Sequence, residues 1–202
     1  MTLNTQLKAR SPIHHSLKSA GPLQDFRSLT PEQLTLCDLS LCSRASAKGS
    51  GVAEQLTAQG YSLPKAVNEA VKSQKDHLVL QLGANEFWLL SAPEVTTSLV
   101  ALAEAENCYP QPCQAAYAWF ALAGHQASEC LAKVCGVDLR ESAQPLGSIA
   151  QTSVARVNSI VVRVPDPEPI FYLFCAQSSA DYLWHALLDA MAEFDGIVSQ
   201  LS

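Results

Sequence analysis

The groups with which this chain could do chemistry are seven cysteines, five histidines and a short segment carrying an arginine two residues before an asparagine. The cysteines recur as Cys-x4-Cys at 37/42, 108/113 and 130/135. The spacing is not read as a zinc site, because the last pair falls on a helix, where positions five apart point in different directions. A nucleophilic thiol needs a base and a local field that lowers its pKa, and neither is identifiable. Cys108-Tyr-Pro-Gln-Pro-Cys113 reads as the most exposed pair, in a proline-stiffened linker, and its thiols are taken as structural. His14 and His15 are adjacent and cannot converge on one ion without further ligands, so no metal site is expected. Imidazole is the side chain best suited to acid–base work near neutral pH, but no serine or cysteine partner is identifiable for His125 or His185. No catalytic residue is assigned. Arg156 and Asn158 share strand parity, which would project both from one face, as a carboxylate or phosphate site requires. A structural bond to loop carbonyls is the plainer reading of the pair. Lys48-Gly49-Ser50-Gly51 precedes a helix but lacks the full phosphate-loop pattern, so it reads as a tight turn.

Charge and composition narrow the classes. The formal net charge of -6 argues against an unspecific grip on nucleic acid or anionic lipid, both of which need a basic footprint. The first ten residues lack the apolar core of a signal peptide, and no segment reaches the ~18 apolar residues of a membrane span. A cytoplasmic protein is expected. An odd number of cysteines excludes a complete disulfide framework and suits a reducing compartment.

The elements that must position these groups are organised around Gly147–Arg163. From Thr152 onward it alternates, then runs through Ile160, Val161 and Val162, as expected of a strand buried by its end. Pro165-Asp-Pro-Glu-Pro169 links it to a second strand, Phe171–Cys175, giving a hairpin with a proline-stiffened connection. Residues 1–33, broken by Pro12, Pro22 and Pro31, read as an arm that ends in a short helix start at Thr30-Pro31. A strand over Leu34–Leu41 and a helix from Val52 closed by Gly60 follow. His77–Leu82 and Glu86–Leu90 then form a hairpin about Gly83-Ala84-Asn85, before a helix from Glu94 to Ala105. The second half repeats this order: a strand over Tyr117–Leu122, a helix over Gln126–Cys135, the central hairpin, and a helix from Ser179 to Met191. In that helix Tyr182 and Trp184 read as core or interface and not as a stacking site. Gly49 falls on Gly124 at an offset of 75 residues, and Phe87 falls on Phe171 at an offset of 84. The expected class is therefore α+β with an internal duplication. A strand-helix-hairpin-helix unit recurs in halves 34–107 and 108–202, which share one compact folding unit.

Several motifs carry a family resemblance in their order and spacing. They are Ser11-Pro12, Asp38-Leu39-Ser40, Lys48-Gly49, Leu82-Gly83-x-x-Glu86-Phe87 and Leu122-x-Gly124-x-x-Ala127, followed by Gly136-x-Asp138-Leu139, Pro145-x-Gly147, Thr152, Arg163, Ser179-Ala180 and Leu183-Trp184. Together they resemble the gamma subunit of heterotetrameric sarcosine oxidase and, more distantly, the folate-binding fold of aminomethyltransferase, the T protein of glycine cleavage. The resemblance implies the duplicated folate-binding body, here without the C-terminal barrel domain. In T proteins a Gly-Tyr-Thr-Gly-Glu-like loop presents the acid that holds the pterin. The matching segment here is Val164-Pro-Asp-Pro-Glu-Pro169, with prolines where the glycines stood, so no folate site is transferred. Arg156, Asn158 and Glu168 remain the candidate pocket residues. The resemblance implies a non-catalytic subunit of a complex that oxidises sarcosine, with flavin, NAD and tetrahydrofolate held only by partner flavoprotein subunits. The alternatives are a free-standing relative that forms a homo-oligomer, a small folate-dependent one-carbon enzyme, and a plain scaffold for another partner.

Overall fold

The structure, a computed structural model, describes residues 10–18, 24–26, 30–74, 77–91, 102 and 106–201. The first part of the chain forms α1 (His14–Lys18), β1 (Gln24–Asp25), β2 (Thr35–Asp38), β3 (Arg44–Lys48), α2 (Val52–Ala58), β4 (Glu69–Lys72), β5 (Leu78–Gly83) and β6 (Glu86–Leu90). The second part forms β7 (Tyr109–Gln111), α3 (Cys113–Ala116), β8 (Tyr117–Ala123), α4 (Ala127–Ala132), β9 (Ile149–Val154), β10 (Val157–Arg163), β11 (Ile170–Ala176), α5 (Ala180–Met191) and β12 (Ile197–Gln200). The larger sheet has the order β1-β12-β2-β8-β11-β10-β9 and the smaller one β4-β5-β6-β3-β7.

The two sheets stack face to face, with helices outside. Side chains alternate across each strand, and here both faces are covered. Trp119 and Ala121 on β8, with Tyr172 and Phe174 on β11, point inward to meet Leu78, Leu80, Trp88 and Leu90 of the smaller sheet. Their neighbours Phe120, Leu122, Phe171 and Leu173 point outward onto Leu131 of α4 and Leu183, Trp184 and Leu187 of α5. On the far side, Val79, Phe87 and Leu89 pack under Val52 and Leu56 of α2. Covering on both faces explains the near-continuous apolar runs, since each buried large side chain contributes about 1.5–3 kcal/mol.

Strand order and register repeat between the sheets. The order β9-β10-β11-β8 mirrors β4-β5-β6-β3. Arg44 faces Leu90 and Lys48 faces Glu86 across β3 and β6, while Trp119 faces Phe174 and Ala123 faces Ile170 across β8 and β11. These are the positions that offsets of 75 and 84 place in correspondence. The turns agree as well: Gly49 N donates to Asn85 O at 2.9 Å and Gly124 N to Pro169 O at 3.0 Å. Both glycines are left-handed, at φ +133° and +122°, and both lie against backbone; a Cβ on Gly124 would come within 2.9 Å of Gln33 O.

The first strand of each unit crosses over. β2, which precedes β3 in the chain, pairs with β8 (Thr35 opposite Ala123), and β7, which precedes β8, pairs with β3 (Tyr109 opposite Lys48). Each half thus lends a strand to the other's sheet, and the division near residue 107 separates chain segments but not sheets.

Several elements differ from the sequence reading. The stretch from Thr152 to Arg163 is two strands, β9 and β10, turning at Ala155-Arg156, where both residues are left-handed. Neither is a glycine or an asparagine, so the turn carries no compositional sign. Thr30-Pro31 opens a single turn, closed by Gln33 N on Thr30 O at 3.1 Å, and no helix follows. The strand expected over Leu34–Leu41 is confined to β2, because the Asp38 carboxylate accepts from Ser40 N and bends the chain away. Strands β3, β4, β7 and β12 carried no expectation; they are short and rich in Ala, Ser, Lys and Gln. The helix expected over residues 94–105 lies outside the described residues apart from Leu102, which is buried with the α2 cluster.

Candidate functional site

The three candidate pocket residues are not brought together. Arg156 sits in the β9–β10 turn at φ +67°, and Asn158 is two residues into the next strand, so the shared face expected from strand parity does not exist. Arg156 borders a depression of about 430 Å³ beside the end of α4. Asn158 opens onto a separate cleft of about 450 Å³ between the sheets, with Tyr117, Ile160 and Phe174 and the Lys48–Glu86 ion pair (3.1 Å). Glu168 lies on a third, of about 530 Å³, with Phe26, Pro31, Gln33 and Ile170.

The loop that holds Glu168 is braced by its own contacts. Asp166 receives Lys72 Nζ of β4, and its carboxylate also accepts from Glu168 N at 3.2 Å. Partial burial would raise the Asp166 pKa, but the Lys72 and Glu168 donors prevail and hold it below the ordinary range. Asp166 N closes a tight turn on Val164 O at 2.8 Å, and Pro169 O is occupied by Gly124. Glu168 is left exposed at the rim. φ is fixed at its three prolines, and the backbone groups of Asp166, Glu168 and Pro169 are engaged within the protein.

Six of the seven thiols are buried, and Cys42 is half-buried. Cys108 and Cys113, expected to be the exposed pair, are only 1% and 2% exposed. Cys108 packs under α2 and Cys113 in the core between the sheets, so both thiols turn inward from a linker whose residues 109–112 stay exposed. Burial pushes the Cys37 and Cys175 thiols up to about 12 and Cys130 to about 11. All seven cysteines are unpaired with one another. Among the described residues no group of three or more His, Cys, Asp or Glu is placed to hold a metal ion. His14 and His15 meet edge to face, at 5.9 Å. His185 Nδ1 donates to Asp181 O at 2.8 Å on the exposed side of α5, and His125 is exposed ahead of α4.

The motif residues converge instead on a buried structural network. Ser11 Oγ donates to Asp38 Oδ2 and accepts from Ile13 N, while Asp38 Oδ1 accepts from Ser40 N at 2.9 Å. Ser40 Oγ accepts from Trp119 N at 3.0 Å. At its centre is Arg44, a residue the sequence did not single out, 5% exposed. Its guanidinium donates to the carbonyls of Ser40 (3.1 Å), Cys42 (3.3 Å), Cys113 (3.4 Å), Gln114 (3.2 Å) and Tyr117. Burial lowers the Arg44 pKa, and the indole of Trp119 lies 6.0 Å from its Cζ. Arg44 thus stitches the start of β3 to the start of β8, at the crossover of the two units. Arg163 has a similar role, donating to Gln144 O at 3.2 Å and Glu141 at 3.3 Å, so that it fixes the loop before β9. No helix among the described residues is long and apolar enough to cross a membrane.

Residues 30–199 match the GCVT N-terminal domain family. Sarcosine oxidase subunit gamma of Corynebacterium sp. (strain U-96) is 30% identical over 196 residues, covering 95% of this chain and 93% of that one. Among solved structures, the heterotetrameric sarcosine oxidase of Corynebacterium sp. U-96 has a chain that superposes with a TM-score of 0.74 at 23% identity, over 93% of this chain and 97% of that chain. The glycine cleavage aminomethyltransferase T of Bartonella henselae superposes with a TM-score of 0.64 at 16% identity, over 96% of this chain but 60% of its own length.

Proposed function

From the premise that this chain belongs to the GCVT N-terminal domain family and to the sarcosine oxidase gamma subunit family, we propose that it is a gamma-type subunit of a flavoprotein complex that oxidises sarcosine. It contributes shape and binding surface and holds no cofactor of its own. The observation that carries the reading is similarity to a gamma subunit along nearly the full length of both chains. Three features of this chain support it. The proline loop at Glu168 is braced where T proteins present a pterin acid, the three pocket candidates face three separate clefts, and the polar motif residues are consumed in scaffolding. Flavin, NAD and tetrahydrofolate then belong to the partner subunits.

The test is co-expression of the tagged full chain with the other subunits of its host's sarcosine oxidase. A yellow complex eluting as one species is expected. If the chain elutes alone and colourless whatever it is expressed with, the subunit reading is wrong. Saturable binding of tetrahydrofolate by the isolated chain, lost on Glu168→Ala, would put a stand-alone folate protein in its place.

A further inference from the structure

The β9–β10 turn is built against local preference. Ala155 and Arg156 both lie in the left-handed region, at φ +48° and +67°, where a two-residue hairpin normally places Asn-Gly. The turn is held there from outside: Ala155 N donates to Val134 O at 2.7 Å, and Cys135 bridges to Val154. The strained conformation lifts Arg156 into solvent, and its guanidinium has no hydrogen bond or ion pair with any described residue. Strain of this kind, maintained by surrounding structure, points to a presented side chain.

The ground beside Arg156 is concave and small-residued. The 430 Å³ depression is floored by the chain that leaves α4, including Ala132, Val134 and Gly136, and walled by Tyr182 of α5, which is 58% exposed. Lys133 at its edge is already neutralised by Glu193 at 3.0 Å and donates to Ala190 O. Asp181, next to Tyr182, is engaged by Ser16 Oγ at 2.6 Å and by His185. Among the described residues Arg156 is therefore the uncompensated charge at this concavity. Arginine and tyrosine at the edge of a pocket are the residue types that dominate protein interfaces.

We propose that the depression between the β9–β10 turn, the end of α4 and Tyr182 is the docking site for an acidic segment of a partner subunit. A carboxylate of that segment meets the Arg156 fork bidentately, and the side chain beside it lies on the Tyr182 ring. The inference rests on the subunit reading above.

The test measures the affinity of the full chain for the flavoprotein subunits, comparing wild type with Arg156→Glu, Arg156→Lys, Arg156→Gly, Tyr182→Ala and, as a control on an exposed arginine elsewhere, Arg140→Glu. Arg156→Glu and Tyr182→Ala should each weaken binding about 30-fold or more, the scale of an interface hot spot. Arg156→Lys should retain part of the affinity, and Arg140→Glu all of it. Arg156→Gly relieves the turn, so it should melt higher and yet bind as weakly as Arg156→Glu, a combination that a merely structural arginine would not give. If wild type binds and Arg156→Glu binds equally well, the docking site is wrong while the subunit reading stands. If wild type itself does not bind, both fall.

Discussion

Replacing Arg44 should be the most damaging single change to a polar residue of this protein. Its guanidinium serves five backbone carbonyls in a site that is 5% exposed. Arg44→Met keeps the length and fills the space but returns none of those bonds. Ser40 O keeps Gln114 Nε2 at 3.4 Å, and Cys113 O keeps the amide of Tyr117. The carbonyls of Cys42, Gln114 and Tyr117 lose their Arg44 donors. These three bonds are only partly buried, so at about 1 kcal/mol for each, the low end of the cost of an unsatisfied group, the expected loss is roughly 3 kcal/mol. Arg44→Lys keeps a charge but only three donors on a point-like head, so a loss of about 2 kcal/mol is expected. Urea unfolding followed by tryptophan fluorescence is a suitable assay, since Trp119 lies against the network. The order wild type, Lys, Met should appear in the midpoints at constant slope. A loss below 1 kcal/mol for Arg44→Met would refute the claim that this arginine holds the crossover together.

Three further outcomes follow from the geometry. Gly124→Ala should destabilise by about 1–3 kcal/mol, because its Cβ combines a left-handed backbone with contact at 2.9 Å to Gln33 O, and an unchanged thermal midpoint would contradict the close approach. The Asp166 pKa is depressed in the folded state, so its contribution is present above the ordinary aspartate range and is lost as pH falls through the folded value. Asp166→Asn should flatten that part of the acid-stability profile, and an identical profile would show that the Lys72 contact does not form in solution. With burial pushing Cys37 and Cys175 up to about 12, these two thiols should react slowly with a thiol reagent at pH 8 in the native protein, whereas the unfolded protein should titrate all seven cysteines at once.

What the sequence disclosed, and what it hid, follows from where the physics is local. The repeat was legible because Gly49 and Gly124 mark equivalent backbone positions that a side chain would block, and β8, β11 and α5 were legible from apolar runs long enough to set a period. The β9–β10 turn was hidden because Ala155-Arg156 adopts its conformation through Val134 and Cys135, which act from a distance. The crossover of β2 and β7 was hidden for the same reason: a three- or four-residue strand says nothing about which sheet it joins. Cys108 and Cys113 misled, since prolines flanking them suggested exposure while the chain between runs along an edge and turns both thiols inward. Arg44 left no trace, because a buried arginine bonded to carbonyls has no partner residue that a motif could reveal.

The proposal that this chain is a cofactor-free subunit is tested most directly by one purification. The full chain is co-expressed with the flavoprotein subunits of the host's sarcosine oxidase, and the product is resolved by size-exclusion chromatography with simultaneous detection at the protein and flavin wavelengths. A single peak in which this chain co-migrates with flavin, set against a colourless peak when it is expressed alone, is the predicted result. Flavin absorbance on the chain expressed alone, or two peaks that never merge, would contradict it.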